Sequence, residues 1–243
     1  MNKHLKAIAA LLVLAASPTV MHADELSEAR VKELVYEAIR ENPEIVLEAV
    51  EILRVREAQA QAQTQADVLS DQRQILEADP NAPVLGNPDG DVTVVEFFDY
   101  NCPYCRRAMP VVQELLEFDP NARLVYREWP ILGDGSVFAT KAALASRNQG
   151  KYEEFHWALM GMSGRAEEAS VLRIAREVGL DIDRLRADME SDEVNEHIQT
   201  SMELAQALGF SGTPSFVVGD NLVPGLVDAA KLIGLVEGTR TSE

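Results

Sequence analysis

Apolar residues recur along this chain in several distinct rhythms, and each rhythm predicts a different kind of element. Residues 7–16 form an unbroken apolar stretch behind Lys3 and Lys6. That pattern predicts a secretory leader over residues 1–23, because the stretch is too short to span a bilayer. The next rhythm is helical. Val31, Leu34, Val35, Ala38 and Ile39 recur at three and four behind Ser27, a natural N-cap. Asn42-Pro43 then opens a second helix, in which Ile45, Val46, Leu47, Val50, Ile52 and Leu53 cover more than one narrow face. A heptad is not sustained beyond Leu53, since Glu57 and Thr64 fall where apolar residues are needed. Residues 58–66 alternate Ala and Gln, helix-permissive but without an apolar face. Asp79-Pro80-Asn81-Ala82-Pro83 ends the segment with two prolines that no helix continues through.

Beyond Pro83 the rhythm shortens. Val92 to Phe98 is an apolar β-type run, and Met109, Val111, Val112, Leu115 and Leu116 then return to helical spacing until Asp119-Pro120. Residues 122–129 predict a second strand, and the right-handed crossover rule makes the two strands parallel. Residues 136–208 read as helices throughout, over 137–148, 152–160, 167–178, 182–190 and 193–208, punctuated by glycines. A hairpin follows, with strand 214–218, a Gly219-Asp220-Asn221 turn and a return through Leu222-Val223. Asp228 caps a last helix carrying Leu232, Ile233, Leu235 and Val236, with a frayed tail expected from Gly238.

At 243 residues the chain has room for one ordinary domain and an appendage. Its net charge of −18 argues against sequence-independent nucleic-acid binding, which relies on basic patches. The leader holds two lysines and no acid, so its removal makes the remainder more acidic still. The helical segment after the leader has wide apolar coverage and no core of its own. Self-association through residues 24–66 satisfies that surface; folding back on the rest of the chain is the alternative. Residues 58–78 suit either a rigid helix or a flexible tether.

The candidate chemistry lies where the strand ending at Phe98 hands over to a helix. Cys102-Pro103-Tyr104-Cys105 holds the only two cysteines of the chain. The first turn of a helix carries unpaired N–H groups and the positive end of the dipole, which favour a thiolate at Cys102. Three positions on, Cys105 is placed to close a small disulfide ring or to resolve a mixed disulfide. Pro103 suits the first helical turn. Structural zinc would need four ligands, and outside the leader only His156 and His197 could join the cysteines. So short a loop removes little unfolded-state entropy, which argues against a purely structural bridge. His156 reads as a packing residue with Phe155, Trp157 and Met160.

Phe97-Phe98 ahead of Cys102-Pro-Tyr-Cys105, with Gly212-Thr213-Pro214-Ser215-Phe216 far downstream, resembles the DsbA-like thiol–disulfide oxidoreductases of the thioredoxin superfamily. The resemblance covers about residues 84–238, and the helical N-terminus further resembles the ScsC-type branch, whose members carry an N-terminal oligomerisation segment. It implies an α/β thioredoxin-like fold with an inserted helical domain, preceded by an extended α-helical segment. The implied organisation is a leader over 1–23, a helical segment and linker over 24–80, and a catalytic domain over 81–243 with its insert near 136–208. Thr213 and Pro214 match the threonine and cis-proline that face the reactive cysteines and bind substrate backbone. Glu96 matches a family acid. On an apolar strand its proton affinity should rise, which suits a relay to or from Cys105.

The activity implied is thiol–disulfide exchange on exported, periplasmic proteins with cysteines. No cofactor is expected beyond the Cys102–Cys105 couple, no resident metal and no nucleic-acid partner, but a membrane redox partner is. One motif serves isomerisation or reduction and, run the other way, dithiol oxidation. An oligomer whose active sites share a space favours the isomerase or reductase direction. A third possibility is a dithiol that holds Cu(I), which thiolates bind well, and the ScsC-type resemblance carries an association with copper tolerance.

Overall fold

The computed structural model describes residues 27–242, so the expected leader over 1–23 lies outside the described residues. The described residues divide into two units, one ending at Glu57 and the other beginning at Ala58. This division falls earlier than the boundary near residue 80 expected from the proline cluster.

In the first unit, α1 (Glu28–Glu41) starts where the Ser27 hydroxyl accepts a hydrogen bond from Arg30 N at 3.3 Å. None of its residues is buried. Beyond Asn42 the chain enters α2 (Glu44–Ala78), which is helical through the whole Ala/Gln tract. Up to Glu57 its apolar residues are also exposed, Leu47 at 73% and Leu53 at 55%.

The second unit is built on a five-stranded sheet in the order β1-β3-β2-β4-β5. Its strands are β1 (Val84–Gly86), β2 (Val92–Phe98), β3 (Ala122–Glu128), β4 (Ser215–Val218) and β5 (Asn221–Pro224). β2 and β3 are parallel and joined through α3 (Pro103–Phe118), as the crossover rule predicts. β2 is central, paired with β3 on one side and antiparallel β4 on the other. Its alternation sends Val94 and Phe98 into one core, with Cys105, Val112 and Leu115 of α3. Val95 and Phe97 enter the opposite core, with Val125, Leu204, Leu208, Phe210 and, from α2, Leu69 and Leu76.

Between β3 and β4 lie α4 (Asp134–Ala145), a 3₁₀ turn (Ser146–Gln149), α5 (Tyr152–Met160), α6 (Glu168–Glu177), α7 (Ile182–Asp188) and α8 (Asp192–Ala207). This is the inserted helical domain, and α8 packs onto β3. The last helix, α9 (Ala229–Ser242), starts with Lys231 N donating to the Asp228 carboxylate at 2.8 Å. The tail expected to fray after Gly238 is helical instead. Arg240 pins it, reaching Asp91 at 2.7 Å and Asp119 at 2.8 Å.

Candidate active site

β2 delivers the chain at Phe98 to a turn, Asp99-Tyr100-Asn101, that enters α3 at Pro103. Cys102 is the N-cap of α3, with extended backbone at φ −76° and ψ 118°. Its amide donates to the Asp99 carbonyl at 3.0 Å, and its own carbonyl accepts from Arg106 N at 3.2 Å. Both cysteines are free thiols. Both are buried, but Cys102 keeps 4% exposure and Cys105 none, so Cys102 is the one nearer solvent. Tyr104 between them is 53% exposed, and the Arg107 guanidinium lies 4.5 Å from its ring centre.

The two thiols have opposite acidities. Cys102 is brought down to about 5, chiefly by a hydrogen bond from the Cys105 thiol, which with the Thr213 side chain and the Cys105 and Tyr104 amides outweighs burial. The helix N-terminus expected to do this work contributes through those amides, but the neighbouring sulfur contributes more. Burial pushes Cys105 well up, and the Cys102 bond and the nearby Glu96 charge add to it. One sulfur is thus an anion at neutral pH while the other stays a thiol.

Opposite the pair, the Thr213–Pro214 peptide is cis, as the resemblance implied. The Thr213 carbonyl lies 3.2 Å from Cys102 Sγ and accepts from it in the thiol form, so it faces the sulfur rather than open solvent. Glu96 lies on β2 between Tyr126 of β3 and Phe216 of β4, on the face that carries Val94 and Phe98. It is 2% exposed, and burial, followed by the Cys102 charge, pushes its carboxyl up to about 8. The strand is central rather than an edge, which is why water does not reach this acid.

Several residues that hold the site escaped the sequence reading. Arg106 donates from Nε and Nη2 to the Tyr100 carbonyl and from Nη1 to the Met162 and Gly164 carbonyls, tying the turn to the helical insert. Asn101 exchanges hydrogen bonds with the Ala166 backbone at 2.7 and 3.1 Å. Tyr100 Oη lies 3.0 Å from Nδ1 of His156, whose imidazole burial brings down to about 3. His156 is therefore neutral, packed among Phe98, Tyr126, Tyr152 and Trp157. Glu128, fully buried at the end of β3, accepts from Tyr152 Oη at 2.5 Å and meets Nε2 of His197 at 2.5 Å. Burial works against its charge, but His197 and then Tyr152 outweigh burial and hold the carboxyl below its ordinary value. An acid at the end of each apolar strand, Asp99 and Glu128, was the one signal available.

The DSBA-like thioredoxin domain family matches residues 93–236. The chain belongs to this family. The N-terminal domain of the copper resistance protein ScsC matches residues 28–60. A thioredoxin-like oxidoreductase from Silicibacter pomeroyi DSS-3 is 69% identical, covering 70% of this chain and 99% of its own, with a TM-score of 0.70. A linker-deletion and N6K mutant of Proteus mirabilis ScsC is 27% identical, covering 91% of this chain and 100% of its own, also at 0.70. Among curated proteins, the Na(+)/H(+) antiporter NhaA 3 of Salinispora tropica is 35% identical over 137 residues, 56% of this chain. The DsbA-like chain spans between about a fifth and a third of the length of the curated relatives it matches. Among its described residues no helix is long and apolar enough to cross a membrane.

Proposed function

We propose that this DsbA-like chain is an exported protein disulfide isomerase or reductase that works by thiol–disulfide exchange at Cys102 and Cys105. The observation that carries the reading is the pairing, within one helical turn, of an acidic sulfur that keeps a little exposure with a fully buried, weakly acidic one. In the dithiol state the Cys102 thiolate attacks a substrate disulfide, forms a mixed disulfide and expels the other substrate sulfur as thiolate. Attack on the mixed disulfide by a different substrate thiolate returns Cys102 unchanged, which is isomerisation without net oxidation. If Cys105 attacks instead, the substrate leaves reduced and the enzyme is left as the Cys102–Cys105 disulfide, to be reduced by a membrane redox partner.

Cys105 must lose its proton to attack, and Glu96 is the relay in this scheme: with its carboxyl near 8, the minority carboxylate form present at neutral pH takes that proton. Extended substrate backbone pairs beside Thr213 and Pro214, next to the Cys102 sulfur. Export to the periplasm is supported by the leader pattern and by a lone cysteine pair that an oxidising compartment suits.

A dithiol oxidase is the second reading, and the acidity of Cys102 favours it. Holding that sulfur as thiolate stabilises the dithiol form relative to the disulfide, which makes the disulfide form an oxidant. The unburied apolar residues of α1 and early α2 weigh the other way, because they support self-association. Copper binding by the two thiols is a further reading, supported by the match to the ScsC N-terminal domain.

The deciding experiment follows scrambled ribonuclease and reduced ribonuclease on one preparation. Recovery of active ribonuclease from the scrambled form, lost in Cys102→Ser, is the expected result. Activity on the reduced form alone selects the oxidase. Inactivity in both assays, with Cu(I) carried through gel filtration, removes the exchange reading.

A further inference from the structure

Asp99 is the residue whose side chain has the most partners around the cysteine pair, and exchange as proposed above does not use it. Its carboxylate is fully buried. Oδ1 accepts from Asn101 N at 2.7 Å and from the Ser136 hydroxyl at 2.7 Å. Oδ2 accepts from Ile131 N at 2.8 Å and Leu132 N at 3.0 Å. Three donors from residues 131–136 and one from the adjoining turn thus close on one side chain, so that both buried oxygens are hydrogen-bonded. Gly133, at φ +105°, turns the chain between those two amides and Ser136 at the start of α4, a conformation glycine adopts readily.

The backbone of the same residue meets both sulfur-bearing residues. The Asp99 carbonyl accepts from Cys102 N at 3.0 Å, and the Asp99 backbone eases ionisation of Cys105 against burial. We propose that Asp99 is a positioning residue for thiol exchange, its carboxylate locking the 131–136 loop to the strand end so that its backbone holds Cys102 and Cys105 in register with each other and with Thr213. The inference rests on the exchange reading of Cys102.

Charge and position predict opposite signs here. Removing a nearby anion acts through space to make Cys102 more acidic. Loosening the turn does the reverse, because the donors that now reach the Cys102 sulfur move away and its midpoint returns toward that of a free thiol. In Asp99→Asn one oxygen becomes an NH₂ group facing backbone donors or a hydroxyl, so at least one acceptor is lost.

The test is ultraviolet thiolate titration of reduced Cys102 and its redox equilibrium with glutathione, in wild type, Asp99→Asn and Ser136→Ala, with circular dichroism on each. The inference expects Asp99→Asn to raise the Cys102 midpoint by about one pH unit or more, a roughly tenfold smaller thiolate fraction below that midpoint. Its equilibrium with glutathione shifts toward the disulfide, and Ser136→Ala moves both readouts the same way by less. A folded Asp99→Asn whose midpoint is unchanged or lowered overturns the inference. If that variant does not fold, Ser136→Ala decides by the same rule. An ordinary alkaline midpoint in wild type would instead bring down the exchange reading itself.

Discussion

Glu96 has hydrogen-bonded strands on both sides and α3 across its face, and that setting ties the ionisation of this acid to folding. In the unfolded chain its carboxyl ionises near the model value of 4.5, whereas in the fold it holds its proton to about 8. Between those values the folded state binds more protons, so this residue's contribution falls as pH rises. Glutamine cannot ionise. Glu96→Gln should therefore match wild type in acid and gain stability relative to it through neutral pH, levelling off above about pH 8 at a few kcal/mol. Urea unfolding of reduced wild type and variant at several pH values measures this directly. A difference that stays flat from about pH 5 to about pH 8 would show that the acid is solvated. The same substitution leaves Cys105 without its proposed proton acceptor, so a stability gain is expected together with slower resolution of the mixed disulfide.

At the scale of elements, the end of α2 shows a cap supplied from far along the chain. The last carbonyls of any helix lack intrahelical partners, and α2 has no basic residue in its final turn. β3 provides two. Arg123 donates to the Glu77 carbonyl at 2.6 Å, and the fully buried Arg127 donates to the Ile75 and Leu76 carbonyls and to the Asp79 carboxylate at 2.7 Å. Four residues apart on a strand, the two arginines share a face. With Leu69 and Leu76 in the core and Gln65 donating to the Leu208 carbonyl at 3.2 Å, the later turns of α2 are part of the catalytic body. Arg127→Met should cost about 3–5 kcal/mol, since it leaves the Asp79 carboxylate with only the Asn81 amide and takes the arginine donor from two helix-end carbonyls, with Arg127→Lys intermediate because it lacks the planar fork. Denaturant midpoints would measure both, and a loss under about 1 kcal/mol for the methionine variant would refute the cap.

These contacts mark where sequence reading reaches and where it stops. The strand, the cysteine turn, the crossover and the Thr213-Pro214 peptide rest on neighbours within a few residues, so periodicity and motif exposed them. Residues 58–78 read as either a rigid helix or a tether because the partners of the later turns, Arg123, Arg127 and Leu208, lie 46 to 143 positions away. Asp99 was passed over for the same reason, its partners on the 131–136 loop being 32 to 37 positions downstream. Burial of a charge is invisible in a linear pattern until its donors are known.

For the molecule as a whole, the open question is what covers the apolar residues before Glu57. Val31, Leu34, Val35, Ile39, Ile45, Val50 and Leu53 are all exposed, and burying the exposed half of one such side chain gains about 1 kcal/mol. A second copy of the segment offers a complementary surface by symmetry, because the same patch is then buried on every subunit. Residues 58–66 fall in the second unit, to which Gln65 is hydrogen-bonded, so the deletion that separates the two roles removes 24–57. Light scattering of that variant should give the mass of one chain where the intact protein gives a multiple. Exchange with a small disulfide such as glutathione should persist, because Cys102, Thr213 and Asp99 are untouched. Rescue of scrambled ribonuclease should fall severalfold, because a misfolded substrate no longer meets several active sites at once. An unchanged number of chains per particle would place the association elsewhere. A monomer that still isomerises at the full rate would leave the segment without a catalytic role and return the weight to the oxidase.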